Sequence, residues 1–180
     1  MPQAVFFFSG VIFSRGILLR ELYPFGVGFL GGICLGYPTG ALAALLGCMT
    51  GYLTVLPFGR AILYILSLCC LYVFLFRSGQ GQDHPLAGAL FASIFHVLIH
   101  GIYLLIIKGT LYQGIVLALE GVFVCTIIIA CRYAARGYSQ WKSSYQLNLE
   151  ARYGFAVLLL GLLLGTQDLT FCGLDVQSML

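Results

Sequence analysis

The sequence predicts an all-α, polytopic bundle of transmembrane helices with about seven crossings. Three observations predict it. Of 180 residues, 61% are hydrophobic and 8% charged, where a soluble globular chain carries about 25% charged residues. Mean hydropathy is +1.00. The apolar residues gather into long uncharged runs, one of them extending 38 residues from Leu22 to Gly59. Nine Lys/Arg and six Asp/Glu cannot clothe a water-facing surface of this size, which excludes a soluble monomer. The same composition excludes a disordered chain, a nucleic-acid-binding domain and a disulfide-stapled secreted module. Lipid is the expected partner, and nucleic acid is not.

A crossing needs about 20 mostly apolar residues, because lipid offers nothing to hydrogen-bond exposed backbone. The first runs from Ala4 to Leu22 with Arg15 inside it. No basic residue precedes this run and no exported domain follows, so it does not read as a signal peptide. The 38-residue run is nearly twice a single crossing and is broken at Gly36-Tyr37-Pro38-Thr39-Gly40. It predicts a tight hairpin with arms Pro24–Leu35 and Thr39–Leu56. The first arm is short for a span, and the count falls to six if the Pro24–Leu56 hairpin is partly re-entrant. Pro57-Phe58-Gly59-Arg60 makes the next turn, and Ala61–Phe76 a fourth helix. Arg77–His84 reads as a hydrated loop. Pro85 suits the first position of the fifth helix, which continues to Ile107. Lys108-Gly109 leads into a sixth helix, Thr110–Cys131. Arg132–Arg152 reads as the longest polar stretch, Tyr153–Leu169 as a seventh crossing and Thr170–Leu180 as a short acidic tail. Residues 1–180 read as a single integral membrane domain, with no soluble domain expected within them.

Basic residues near helix ends set orientation. Arg132, Arg136, Lys142, Arg152 and Arg77 share one side; Arg20, Arg60 and Lys108 share the other. This bias places the 132–152 segment in the cytoplasm and the N-terminus with it; if only one arm of the hairpin spans, the N-terminus inverts while the 132–152 segment stays inside. Trp141, Tyr133, Tyr138 and Tyr145 interleave with the basic residues, as in a segment lying among headgroups.

Several residues stand out. Gly28, Gly32, Gly36 and Gly40 recur every fourth position, and Gly161 and Gly165 repeat the spacing in the last crossing. Such faces let helices approach closely, either within the chain or between copies. Arg15, Arg20 and Glu21 sit toward the end of the first helix, where Arg15 can snorkel outward. Glu120 has eleven uncharged residues on each side, so its carboxyl lies near mid-membrane and is neutral, paired or functional. His96 and His100 share one face of the fifth helix. They are weak metal candidates, because no Glu follows His96 as a His-Glu-x-x-His site requires; interhelical hydrogen bonding by neutral rings is the plainer reading. The seven cysteines (Cys34, Cys48, Cys69, Cys70, Cys125, Cys131, Cys172) lie mostly in apolar runs without paired spacing and read as small packing residues. No nucleophile–base pair, phosphate-binding glycine loop or paired carboxylate motif is present. No catalytic residue and no cofactor are predicted. A small transporter or channel-like subunit, with Glu120, His96 and His100 forming a midplane polar site, is an alternative to a non-catalytic membrane domain. A metalloenzyme built on the two histidines is a third.

The order of features resembles a known family. The run Phe6-Phe7-Phe8-Ser9-Gly10-Val11-Ile12-Phe13-Ser14-Arg15-Gly16-Ile17-Leu18, followed by Glu21-Leu22-Tyr23-Pro24-Phe25-Gly26, is similar to the start of the membrane domain of stage II sporulation protein E. That family shows Gly-Arg-Ala-x-Ile-Leu and then Glu-x-x-Pro-Phe at matching spacing; here Ser14 and Gly16 flank the Arg. Ala118-Leu119-Glu120-Gly121 and Asn148-Leu149-Glu150 resemble later steps of the same domain. The resemblance implies a bacterial plasma-membrane protein with about ten crossings and a cytoplasmic N-terminus. It further implies a cytoplasmic metal-dependent serine phosphatase domain that controls forespore sigma-factor activation. The membrane part would place that protein at the asymmetric septum, near the tubulin-like division protein. The aspartates that would hold the phosphatase's metal ions have no counterpart here, so the expected role is a non-catalytic anchor and assembly domain capable of self-association. Arg15, Glu21 and Glu120 are its expected key contacts.

Overall fold

The computed structural model describes residues 3–18, 21–78, 85–144, 148–166, 170–171 and 174–175. The described residues form seven α-helices: α1 (Gln3–Arg15), α2 (Pro24–Gly36), α3 (Ala41–Val55), α4 (Phe58–Ser78), α5 (Pro85–Ile106), α6 (Leu111–Ser144) and α7 (Leu149–Gly165). A 3-10 turn, Pro38–Gly40, joins α2 to α3. Beyond α7, Thr170 pairs with Asp175 and Phe171 with Leu174 in a two-residue antiparallel ladder.

The helical bundle is as expected, but the count of seven crossings is not confirmed. Among the described residues four helical segments are long and apolar enough to span: Pro38–Val55, Phe58–Leu75, Leu86–Ile106 and Leu111–Gly137. α1 and α2 have 13 residues each, about 20 Å at 1.5 Å per residue, against a hydrocarbon core of about 30 Å. α7, with 17 residues, also falls short of the full length.

The first apolar run is short because it breaks after Arg15. Ser14 Oγ bonds back to the Val11 carbonyl and Gly16 N–H to Phe13 O, tightening the last turn. Leu18 and Leu22 then exchange two backbone hydrogen bonds of 2.8 and 3.0 Å, closing a tight loop. Pro24, which has no N–H to leave unpaired, starts α2. The sixth helix, conversely, is longer than predicted. Arg132–Ser144 continues α6 as helix, correcting the polar loop expected there. Its Arg-Tyr-Ala-Ala-Arg run contains good helix formers, and Ala130 and Ala134 are buried against Gly154 of α7. At 34 residues, α6 is about 51 Å long. It outreaches the hydrocarbon, so its charged end needs no loop to reach water.

The helices alternate in direction. Phe6, Gly10 and Ser14 of α1 meet Gly40, Ala44 and Gly51 in that order, so α1 runs parallel to α3. Gly28 and Gly32 of α2 meet Ile127 and Cys131, so α2 runs parallel to α6. α2 is the centre of the bundle: every residue from Pro24 to Leu35 is buried. A helix apolar on all sides has no lipid-versus-core preference of its own; four of its five glycines, Gly26, Gly28, Gly31 and Gly32, let neighbours close around it.

The α5–α6 connection is tightly specified. Gly109 N–H bonds to Leu104 O at 2.7 Å and Lys108 N–H to Leu105 O at 3.3 Å, with Lys108 left-handed at φ 54°; this is a Schellman stop. Thr110 and Gln113 then cap α6 reciprocally, Thr110 N–H to Gln113 Oε1 and Gln113 N–H to Thr110 Oγ1.

Candidate functional site

Tyr23 lies buried between α1 and α2, level with Glu120, which is about 14 Å along α6 from Leu111. Non-helical backbone at membrane depth persists only where protein satisfies its polar groups. Tyr23, the residue before α2, shows how. Its N–H donates to Glu120 Oε1 at 3.1 Å, and its carbonyl accepts from Tyr52 Oη at 2.8 Å. One side chain from α6 and one from α3 therefore hold both backbone groups of one loop residue. The partly positive N-terminus of α2 further favours a carboxyl there.

Around this contact the neighbouring helices add polar groups at helical spacing. From α4, Tyr64 Oη donates to the same Glu120 oxygen at 2.7 Å. One turn on, Ser67 Oγ lies 2.9 Å from His96 Nδ1. From α5, His96 Nε2 stands 3.8 Å from Glu120 Oε1, and Ser93 Oγ donates to Gly121 O at 2.6 Å. Rings fill the space between: Tyr52 on Tyr64 with centroids 4.8 Å apart, Tyr64 on His100 at 4.5 Å, and His96 on His100 at 4.4 Å. Glu120, His96, Ser67 and Tyr64 are all buried. This knot of side chains from four elements joins α2, α3, α4, α5 and α6.

On the side of Arg60 and Gln113 the knot opens into a cavity of about 310 Å³. Glu120, His100 and Tyr64 line it within; Tyr103, Arg60 and Glu21 line it farther out. Arg60 and Glu21 are exposed.

The residues singled out by sequence fall into separate places. Glu120, His96 and His100, from two helices, come together. Among the described residues no group of three or more His, Cys, Asp or Glu is arranged to hold a metal ion. Glu21 forms part of the cavity wall. Arg15 ends α1, and its buried Nε has no hydrogen-bond partner among the described residues. Arg20 lies outside the described residues. The glycines serve packing within the chain: a Cβ at Gly28 would meet Ile127, at Gly32 Cys131, at Gly40 the Phe6 ring, at Gly161 Phe13 and Phe25, and at Gly165 the Ile12 backbone. Gly36 alone of the six has only an ordinary contact, Ala135 Cβ at 3.8 Å.

Tyr23, Tyr52, Tyr64 and Ser67 were not singled out from sequence. Their signal was present, since a phenol inside an apolar run needs a partner for its O–H, and Tyr64 and Ser67 are three apart on one helix face.

No curated protein and no solved structure matches the chain. A family model does, across its whole length. By the match of residues 1–180 to the model described as "SpoIIE, N-terminal domain", the chain belongs to the SpoIIE N-terminal domain family, a membrane domain of sporulation.

Proposed function

We propose that this chain is the non-catalytic membrane anchor and assembly domain of a sporulation protein of the stage II sporulation protein E type. The family match over the full chain carries this reading, and the inward-facing polar knot supports it: its hydrogen bonds tie helices to one another. In this reading the N-terminus and the charged end of α6 face the cytoplasm, where Arg132 and Arg136 stand. The domain retains a serine phosphatase at the asymmetric septum and serves its self-association and its proximity to the tubulin-like division protein. Since most of the glycine faces pack within the chain, self-association would use the outer face of α5 and α6, where Gly114 has open space. A fluorescent fusion of the chain in sporulating cells tests the reading. Enrichment at the septum is expected, and uniform membrane fluorescence would contradict it.

One observation favours a second reading, a small multi-pass transporter or channel-like subunit: the cavity that reaches Glu120. Proteoliposomes showing solute or proton flux that Glu120→Gln abolishes would support it. A silent membrane under imposed gradients would dismiss it.

A further inference from the structure

The cavity beside the polar knot has the chemistry of a cation site. Glu120 Oε1 already accepts from Tyr23 N–H and Tyr64 Oη, whereas Oε2 accepts no hydrogen bond among the described residues and its residue lines the cavity. His100, 8% exposed, also lines it, and its buried Nε2 has no hydrogen-bond partner among the described residues. A buried nitrogen left in that condition costs about 1–3 kcal/mol, a cost that a ligand donor can remove. The C-terminal turn of α5, with Tyr103 and Leu104, forms part of the wall and brings the partly negative end of that helix to it. Glu21 adds a second carboxylate at the outer wall, opposed there by Arg60.

These features select among ligand classes. An anion would meet Glu120 at the inner end. A hard metal cation seeks six or more oxygens, and these walls are largely carbon: Leu63, Leu104, Val116 and Leu117, with the rings of Tyr64 and Tyr103. An ammonium group on a short carbon stem matches both halves, donating to carboxyl oxygen and imidazole nitrogen while its charge faces aromatic rings. The volume of about 310 Å³ is at the small end of ligand cavities, which run from about 300 to 1,000 Å³. We infer that this cavity binds the ammonium group of a small amine, seated on Glu120 Oε2 and His100 Nε2 and walled by the rings of Tyr64 and Tyr103. The amine is either free or the ethanolamine headgroup of a phospholipid. The site is independent of the anchoring role.

The test uses the full chain in detergent, titrated with n-propylammonium chloride while thermal unfolding is followed, with potassium chloride as the ionic control. At ten times Kd the amine raises the Tm by about 3–6 °C, and potassium chloride leaves it in place. Because Glu120→Gln also loosens the α2 contact, the deciding variant is Val116→Phe. It fills the cavity while replacing none of the groups that hydrogen-bond Glu120, and it weakens amine binding at least tenfold. Nanodiscs of phosphatidylethanolamine and phosphatidylcholine with identical acyl chains separate the sources. If the ethanolamine lipid displaces propylammonium, the headgroup is the ligand; if it does not, the free amine is, and either result upholds the site. A shift equalled by potassium chloride, a shift undiminished in Val116→Phe, or no shift with the amine overturns it.

Discussion

The contact between α1 and α3 and the contact among α2, α4, α5 and α6 solve one problem in opposite ways. Lipid tails are as apolar as the helices, so burial of apolar surface cannot drive helices together, and packing and hydrogen bonds must. Between α1 and α3 the solution is the absence of side chains. Gly10 lies against Ala44 O and Cys48 N, Gly47 against the Phe7 backbone, and Gly51 against Ser14 and Val11. Around Glu120 the solution is side chains of the right polarity, with one carboxyl oxygen serving Tyr23, Tyr64 and the neighbourhood of His96. The first contact is intolerant of any added atom, and the second of any lost one. The two regions should therefore fail to opposite kinds of substitution.

The largest effect is expected at Gly47. A Cβ there would overlap the Phe7 carbonyl oxygen, and backbone cannot give way as a flexible side chain can. Gly47→Val should cost about 3 kcal/mol or more, read as loss of the folded fraction in a bicelle unfolding assay. Glu120→Ala should come next, at about 2–3 kcal/mol, since it strands the Tyr23 N–H and the Tyr64 hydroxyl together. Protease cleavage within 16–23 should rise with it, because that loop loses its seat. Tyr64→Phe removes one donor and leaves Tyr23 paired, so it should cost about 0.6–1.7 kcal/mol, the range for single hydrogen bonds between membrane helices. If Glu120→Ala costs no more than Tyr64→Phe, the carboxyl is not the shared acceptor. The smallest effect has the opposite sign. Lys108 occupies a left-handed position at φ 54° that glycine adopts freely, so Lys108→Gly should stabilise by about 0.5–1 kcal/mol in the same assay.

Reading the sequence succeeded where one residue type settles local geometry. Tyr37-Pro38-Thr39-Gly40 announces the turn between α2 and α3 because proline and glycine break an apolar run in one way. Pro85 marks the start of α5 for the same reason. It failed where length against the membrane decides. Arg132, Arg136 and Lys142 look alike on a loop and on a helix that extends beyond lipid. Arg15 did not reveal that α1 stops at it, because the stop is made by Leu18 pairing with Leu22 and by what receives Tyr23. Glu120 was conspicuous as a lone acid in an apolar run. Its partners were not, because Tyr23 and Tyr64 are 97 and 56 residues away and nothing local joins them.

The central claim is that Glu120 seats the start of α2 through a hydrogen-bonded knot shared with Tyr64. A double-mutant cycle with Glu120→Ala and Tyr64→Phe, measured by steric trapping in bicelles, tests it most directly. A shared hydrogen bond predicts that the double variant is more stable than the sum of the single losses implies, by about 0.5–1.5 kcal/mol. Additive losses, with coupling indistinguishable from zero, would contradict it.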